Sequence, residues 1–266
     1  ADKWVNYGLI PYVDIWDRKP IGVFAIFAAA VAFFKNGILG YQIIATLFVI
    51  VTCGVVFRIA RQFSDGWVPL FAAMIYALGI MLWEGQGAQT PVFYNLFVAA
   101  AAAILFEGVV VGPAERRKVA TSLLSASLLF GLSLQLKYTA VIEAAALSLY
   151  VLYILYKQHL FKIHEFAALA IAMMFCGLVP TMAVGAIYAI IGHWPEFFDA
   201  NFISIFEKHT WNLDAMEYLS RFRNTTLFGI VFIPLAAHGL WRVVFNRDLG
   251  SRGAVLRGVA IWLLAA

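Results

Sequence analysis

The chain has 266 residues, of which 63% are hydrophobic and only 13% charged, with a net charge of +4 and a mean hydropathy of +0.85. Soluble domains carry about 25% charged and about 45–50% apolar residues. The composition therefore excludes an ordinary soluble enzyme and describes an all-α, polytopic membrane protein, counted in spans of about 20 residues. The basic balance reflects Lys and Arg retained on the cytoplasmic side; with no polar domain or basic stripe, nucleic acid is excluded as a partner.

In chain order, residues 1–38 read as an outside loop with a juxtamembrane or re-entrant helix. Residues 39–266 read as a transmembrane helical core. The chain opens Ala-Asp-Lys without Met and stops at Ala266 in mid-helix, so both ends read as cut. Gly8 to Pro20 gathers Asp14, Asp17, Arg18 and Lys19 with Tyr12 and Trp16 between Pro11 and Pro20. Proline fixes the backbone and denies it helix on either side. Paired cations at a membrane entrance hold a phosphate, Arg by a planar fork and Lys as a point charge; ordinary headgroup anchoring is the plainer reading. Asp14 and Asp17 act as general bases, orient the cations, or neutralise them. Ile21 to Phe34 is too short to span and suits a re-entrant helix.

Eight apolar runs follow, at about 39–57, 67–83, 92–106, 119–136, 138–156, 166–191, 225–244 and from 255 to the end. They must be helices, because lipid cannot satisfy the open backbone of a sheet edge. With the first loop outside and each run crossing once, the inside connections carry 11 of the 19 Lys and Arg. That bias favours this orientation. The turn from Glu84 to Pro91 offers Glu84 and Gln86 as sugar-contacting groups, although its two glycines match no phosphate loop. Alanine runs such as Ala99 to Ala103 suit close helix packing.

Lys137 stands between two apolar runs with no loop to solvate it. It either snorkels to the interface or reaches the same phosphate as Lys19. Glu143, inside the next run, either pairs with Lys137 or faces the cavity. The longest polar interruption, 192–224, places Phe198, Phe202, Ile205 and Phe206 at helical spacing. That spacing fits an interfacial helix or an aromatic-belt connection on the outside face. Cys53 and Cys176 lie in apolar runs as packing residues. The five His form no ligand set, so no metal and no cofactor is expected.

Three segments carry a resemblance: Gly8, Pro11-Tyr12, Asp14, Trp16-Asp17, Lys19-Pro20 and Gly22; the basic turn Arg58 to Gly66; and Gly131-Leu132 to Lys137. Their order and spacing resemble the integral-membrane glycosyltransferases of the GT-C superfold. Within it, the likeness is to bacterial relatives of the dolichyl-phosphate-mannose protein mannosyltransferases and of the lipid A aminoarabinose transferase. The resemblance implies a polyprenyl-phosphate sugar donor and inversion at the sugar. It also implies a glycan, lipid or protein acceptor on the non-cytoplasmic side of a bacterial plasma membrane. It makes Lys19, with Arg18 and Lys137, the donor-phosphate ligands, and a carboxylate of the first loop the base. Tyr12, Trp16, Glu84 and Gln86 become sugar or acceptor contacts. The family's second proline is Ile21 here, and its usual Asp-Glu pair would precede Ala1, which leaves Asp14 and Asp17 as the carboxylates of this loop. A transporter or flippase for a lipid-linked or anionic solute is the rival class. Transporters place charges near the midplane, whereas these crowd one face.

Overall fold

In the computed structural model the described residues are 1–34, 37–82, 89–112, 115–204, 230, 232–245 and 250–266. They form helices α1 (Asp2–Tyr7), α2 (Ile21–Phe33), α3 (Gly37–Ala60), α4 (Val68–Leu82) and α5 (Thr90–Leu105). A π-wound turn, Phe106–Val111, continues α5. Then come α6 (Arg116–Leu134), α7 (Ala140–Gln158), α8 (Ile163–Ile190), α9 (Trp194–Phe198) with a π turn Asp199–Ile203, α10 (Phe232–Phe245) and α11 (Gly250–Ala265). No strand occurs among the described residues, only one isolated bridge between Pro11 and Ile15.

Each expected apolar run corresponds to a helix, and among the described residues four are long and apolar enough to cross a membrane: α3, α5 with its π turn, α7 and α8. The described parts of α4, α10 and α11 run to 15, 14 and 16 residues, against the roughly 20 a bilayer requires. α6 has 19 residues but opens on Arg116, Arg117 and Lys118 and is diluted by Ser and Thr. The short Ile21–Phe33 helix stands as expected, entered from Pro20 in extended conformation.

α5 is the hub. Its most apolar stretch is 61% buried, against 17% for α8, and it packs on α3, α6 and α7. Ala99, Ala101, Ala102 and Ala103 are all buried, so small side chains let the neighbouring backbones close in. Phe93 interlocks edge-on with Phe48 at 5.2 Å between ring centroids. α6 in turn lies on α8, where a Cβ at Gly131 would overlap the Gly177 carbonyl and the Pro180 ring. α2 docks on this frame at its first turn. The Gly22 N–H donates to the Gln135 carbonyl at 2.8 Å, and a Cβ on Gly22 would collide with that oxygen.

Charge separates by end. At one end Arg58 forks onto Glu107, Arg116 pairs with Glu165 and Arg252 with Asp65. Exposed pairs of this kind add little to stability, because water screens them. The Gly8–Pro20 loop and the α6–α7 turn lie at the opposite end. Cys53 and Cys176 are free thiols.

Replacing Gly131 by Ala should force α6 off α8 and lower the detergent-solubilised melting point, by about 1–3 kcal/mol of stability. Gly54→Ala meets open space and should leave the melting point unchanged or raised. Equal melting of Gly131→Ala and the unaltered chain would contradict the packing role.

Candidate functional site

The loop between α1 and α2 is held by a tight turn. Tyr12 N–H donates to the Ile15 carbonyl at 2.9 Å and Asp14 N–H to the Ile10 carbonyl at 2.9 Å. The Asp14 carboxylate folds back to accept the Ile10 N–H at 2.8 Å. Asp14 is exposed, and its charge is spent on the turn. Tyr12 adopts a left-handed backbone with φ of 69°, an unusual state for a bulky side chain that the surroundings must hold.

The surroundings are aromatic. The Tyr12 ring, 3% exposed, contacts Phe24 of α2, Tyr188 of α8 and Phe197 of α9. Its hydroxyl donates to the Lys19 carbonyl at 2.8 Å, and the Tyr188 hydroxyl donates to the Pro11 carbonyl at 2.9 Å. Tyr138, in the α6–α7 turn, donates to Asn201 Oδ1 at 2.6 Å, and Asn201 donates onward to the Phe197 carbonyl at 2.8 Å. Burial pushes the Tyr12 and Tyr138 phenols up. The neighbouring Tyr138 and Tyr188 add to the shift on Tyr12, and the Asp17 charge adds to that on Tyr138.

This revises the expectation for Tyr12. With its ring enclosed and its hydroxyl occupied, it anchors the loop and presents no face to a sugar. Trp16 is 58% exposed and remains available for contact. Glu84 and Gln86 lie outside the described residues.

The cations divide. A cavity of about 460 Å³ is lined by Lys19, Val23 and Phe27 from the loop and α2, by Gln89, Thr90 and Pro91 at the start of α5, and by Lys137. Lys19 and Lys137 therefore share one cavity. Arg18 does not line it. Lys19 Nζ lies 4.0 Å from Asp17 Oδ2, and the Lys19 N–H donates to Asp17 Oδ1 at 3.2 Å. Arg18 is exposed. Lys137 is half-buried and its ammonium sits 5.2 Å from the centroid of the Tyr94 ring. Glu143 makes no ion pair with Lys137; it is buried and accepts the Trp262 indole N–H.

The cavity also receives the amino-terminal end of α5, where Gln89 is extended and Pro91 occupies the first turn. A helix start carries about half a positive charge on its open N–H groups. Two ammonium groups and a helix N-terminus thus face a pocket whose remaining wall, Val23 and Phe27, is apolar. Positive charge and apolar surface therefore meet in one cavity.

Part of the expected interfacial helix is described. Phe198 and Phe202 share a face, stacked with centroids 5.1 Å apart and each 41% exposed, while Phe197, Ala200 and Asn201 turn inward. Ile205 and Phe206 lie outside the described residues. The anchors Tyr138, Tyr188 and Asn201 were not singled out by sequence reasoning. Tyrosines near helix ends blend into the interfacial aromatic belt, and Asn201 sits in a stretch that reads as amphipathic. The chain matches no protein-family model, no curated protein and no solved structure.

Because the phenols of Tyr12 and Tyr138 are raised by folding, the stability they contribute is complete below the ordinary tyrosine range. It falls away as pH rises above about 10, where the unfolded chain releases those protons. Limited proteolysis of the Gly8–Pro20 loop should accelerate above pH 10, and Tyr188→Phe should accelerate it already at neutral pH. Unchanged cleavage of Tyr188→Phe would remove the anchoring role.

Proposed function

We propose that this chain is the core of a membrane glycosyltransferase of the GT-C type, binding a polyprenyl-phosphate sugar in the Lys19–Lys137 cavity. The observation that carries the reading is the convergence of those two lysines, from separate elements, on one pocket with a helix N-terminus and an apolar wall. In this reading all eight apolar helices cross or enter the bilayer. The loop faces the non-cytoplasmic side, in a bacterial cell the periplasm, and the ion-paired end faces the cytoplasm.

The chemistry follows from the charges. An acceptor hydroxyl oxygen attacks the anomeric carbon, the bond from that carbon to the phosphate oxygen breaks, and the polyprenyl phosphate leaves. Lys19 and Lys137 stabilise the charge gathering on the leaving phosphate, most strongly where water is excluded. The hydroxyl proton passes to a carboxylate base. Of the two loop carboxylates, Asp17 stands beside Lys19 and is the better placed, whereas Asp14 is engaged by the Ile10 N–H. Asp17 also holds Lys19 by its backbone N–H. Trp16 and Arg18 are exposed and in this reading meet the acceptor.

Lys19→Ala and Lys137→Ala are each expected to reduce transfer from a polyprenyl-phosphate sugar at least a hundredfold, with unchanged melting points. That loss matches removing about 2.7 kcal/mol or more of transition-state stabilisation. Arg18→Ala should cost less than tenfold. Sugar transfer is read by radiolabel incorporation into acceptor in proteoliposomes. Retained transfer in both lysine variants overturns the site, and lipid movement across the bilayer without covalent transfer would favour the transporter class.

A further inference from the structure

α8 carries a groove that the proposed transfer does not use. Leu178, Met182 and Gly185, spaced as one face of a helix, line a cavity of about 320 Å³ with Trp194 and Phe197 of α9 and Phe202 of the π turn. Thr181 completes the lining, but its hydroxyl oxygen is engaged by the Gln135 amide N–H at 2.7 Å. One end of the groove is shut. A Cβ on Gly185 would stand 3.0 Å from Trp194 Cζ3 and 3.1 Å from Phe197 Cε1, so glycine lets α9 lie directly on α8. Because Trp194 turns its benzene edge to Gly185, its indole N–H lies on the far edge of the ring. The other end is open. Leu178 and Met182 are 50% and 53% exposed, and Met174 and Ile171 continue the exposed apolar stripe along the helix.

The geometry points to a site for one acyl chain of a bilayer phospholipid, which braces Phe197 and through it the Gly8–Pro20 loop. Depth supports this occupant. α8 has 28 residues, about 42 Å of helix, against a hydrocarbon core of about 30 Å. Centred on that core, α8 leaves about four residues above the hydrocarbon at each end. Gly185 and Trp194 then lie at the boundary, where an indole N–H meets headgroups, and Leu178 and Met182 lie among the chains of one leaflet. The rim of the groove is the face that α8 turns to the bilayer, so lipid chains already stand at its mouth. Lipid tails are as apolar as leucine, so close packing supplies the preference; an empty recess forfeits the dispersion contacts that a chain restores. Phe197 is the link to the loop. It is 2% exposed, lines the groove, stacks on Tyr188 at 5.2 Å and meets the Tyr12 ring at 6.3 Å. A chain packed on Phe197 steadies one of the rings that hold the left-handed Tyr12 in place. None of this requires the Lys19–Lys137 cavity to bind a phosphate.

The test uses the full chain reconstituted with a phosphatidylcholine that carries a photoreactive diazirine midway along one acyl chain. After irradiation, adducts are located by peptide mass spectrometry. Leu47 and Ile50 of α3, 55% and 60% exposed, serve as an ordinary lipid-facing control. Adducts on Leu178, Met182 or Phe202 should exceed those on the control about fivefold, because a held chain outcompetes passing ones. Met182→Trp fills the groove from its exposed rim and should bring the two faces level. Leu178→Trp takes its place if Met182→Trp does not fold.

The second readout is proteolytic cleavage of the Gly8–Pro20 loop in a steroid-tailed detergent, which supplies no linear chain. Added phosphatidylcholine should slow cleavage of the unaltered protein about threefold, and should leave cleavage of the filled variant unchanged. Adducts spread evenly over α8 and α3 overturn the inference. So does cleavage that lipid slows equally in both proteins, or in neither. Intermolecular cross-links through Leu178 and Met182 in place of lipid adducts mean that a second copy covers this face, and overturn it as well.

Discussion

The candidate site depends on one hydrogen bond made where no side chain fits. At the first turn of α2 the Gly22 N–H meets the Gln135 carbonyl, in contact so close that any Cβ would overlap the oxygen. This joins the loop that carries Lys19 to the turn that carries Lys137. Neither lysine attracts the other; like charges repel, and left to electrostatics they would separate. A backbone contact between α2 and the α6–α7 turn overrides that repulsion by making the spacing a property of the frame. The same contact gives an open donor at a helix start a partner within the protein.

The rest of the architecture serves to make that frame stiff. α5 is almost wholly enclosed, and its run of alanines brings α3 and α6 close on either side. α6 is pressed on α8 through Gly131 and the Gly177–Pro180 segment. From α8 the stiffness returns to the loop through Tyr188 and Pro11, and from α9 through Phe197 and Tyr12, while Asn201 ties the π turn to Tyr138 in the α6–α7 turn. Packing thus runs in a closed circuit from the loop through α2, α6, α8 and α9 back to the loop. Charged side chains at one end of the bundle neutralise one another in pairs. At the other end Lys19 and Lys137 line open space, with only Asp17 close enough to pair with Lys19.

Sequence reasoning reached part of this. Apolar runs between polar stops locate the helices because lipid and backbone together leave one choice, and the proline before Ile21 marks the start of α2. Lys137 stood out because no loop surrounded it. Whether each run is long enough to span was less legible, since hydropathy does not fix where a helix frays. α6 is a case in point, its 19 residues opening on three cations. That Arg18 stays out of the cavity was hidden, because the residues that line the cavity come from elements far apart in the chain. Tyr12 shows the opposite failure. An aromatic in a polar loop reads as a contact for ligand, but its burial follows from Tyr188, Phe197 and Phe24, residues remote from it in the chain. Glu143 was legible as anomalous, while its partner Trp262 lies 119 positions away.

The left-handed backbone of Tyr12 has a consequence for how the molecule is made. The Gly8–Pro20 segment leaves the ribosome well before Tyr188 and Phe197, whose rings enclose Tyr12. Until α8 and α9 have been inserted, nothing compensates an unfavourable φ at Tyr12, and the segment has no reason to adopt it. A loop made early is therefore late to take its form. A nascent chain halted before α8 would carry both lysines without the aromatic packing that holds the loop in shape.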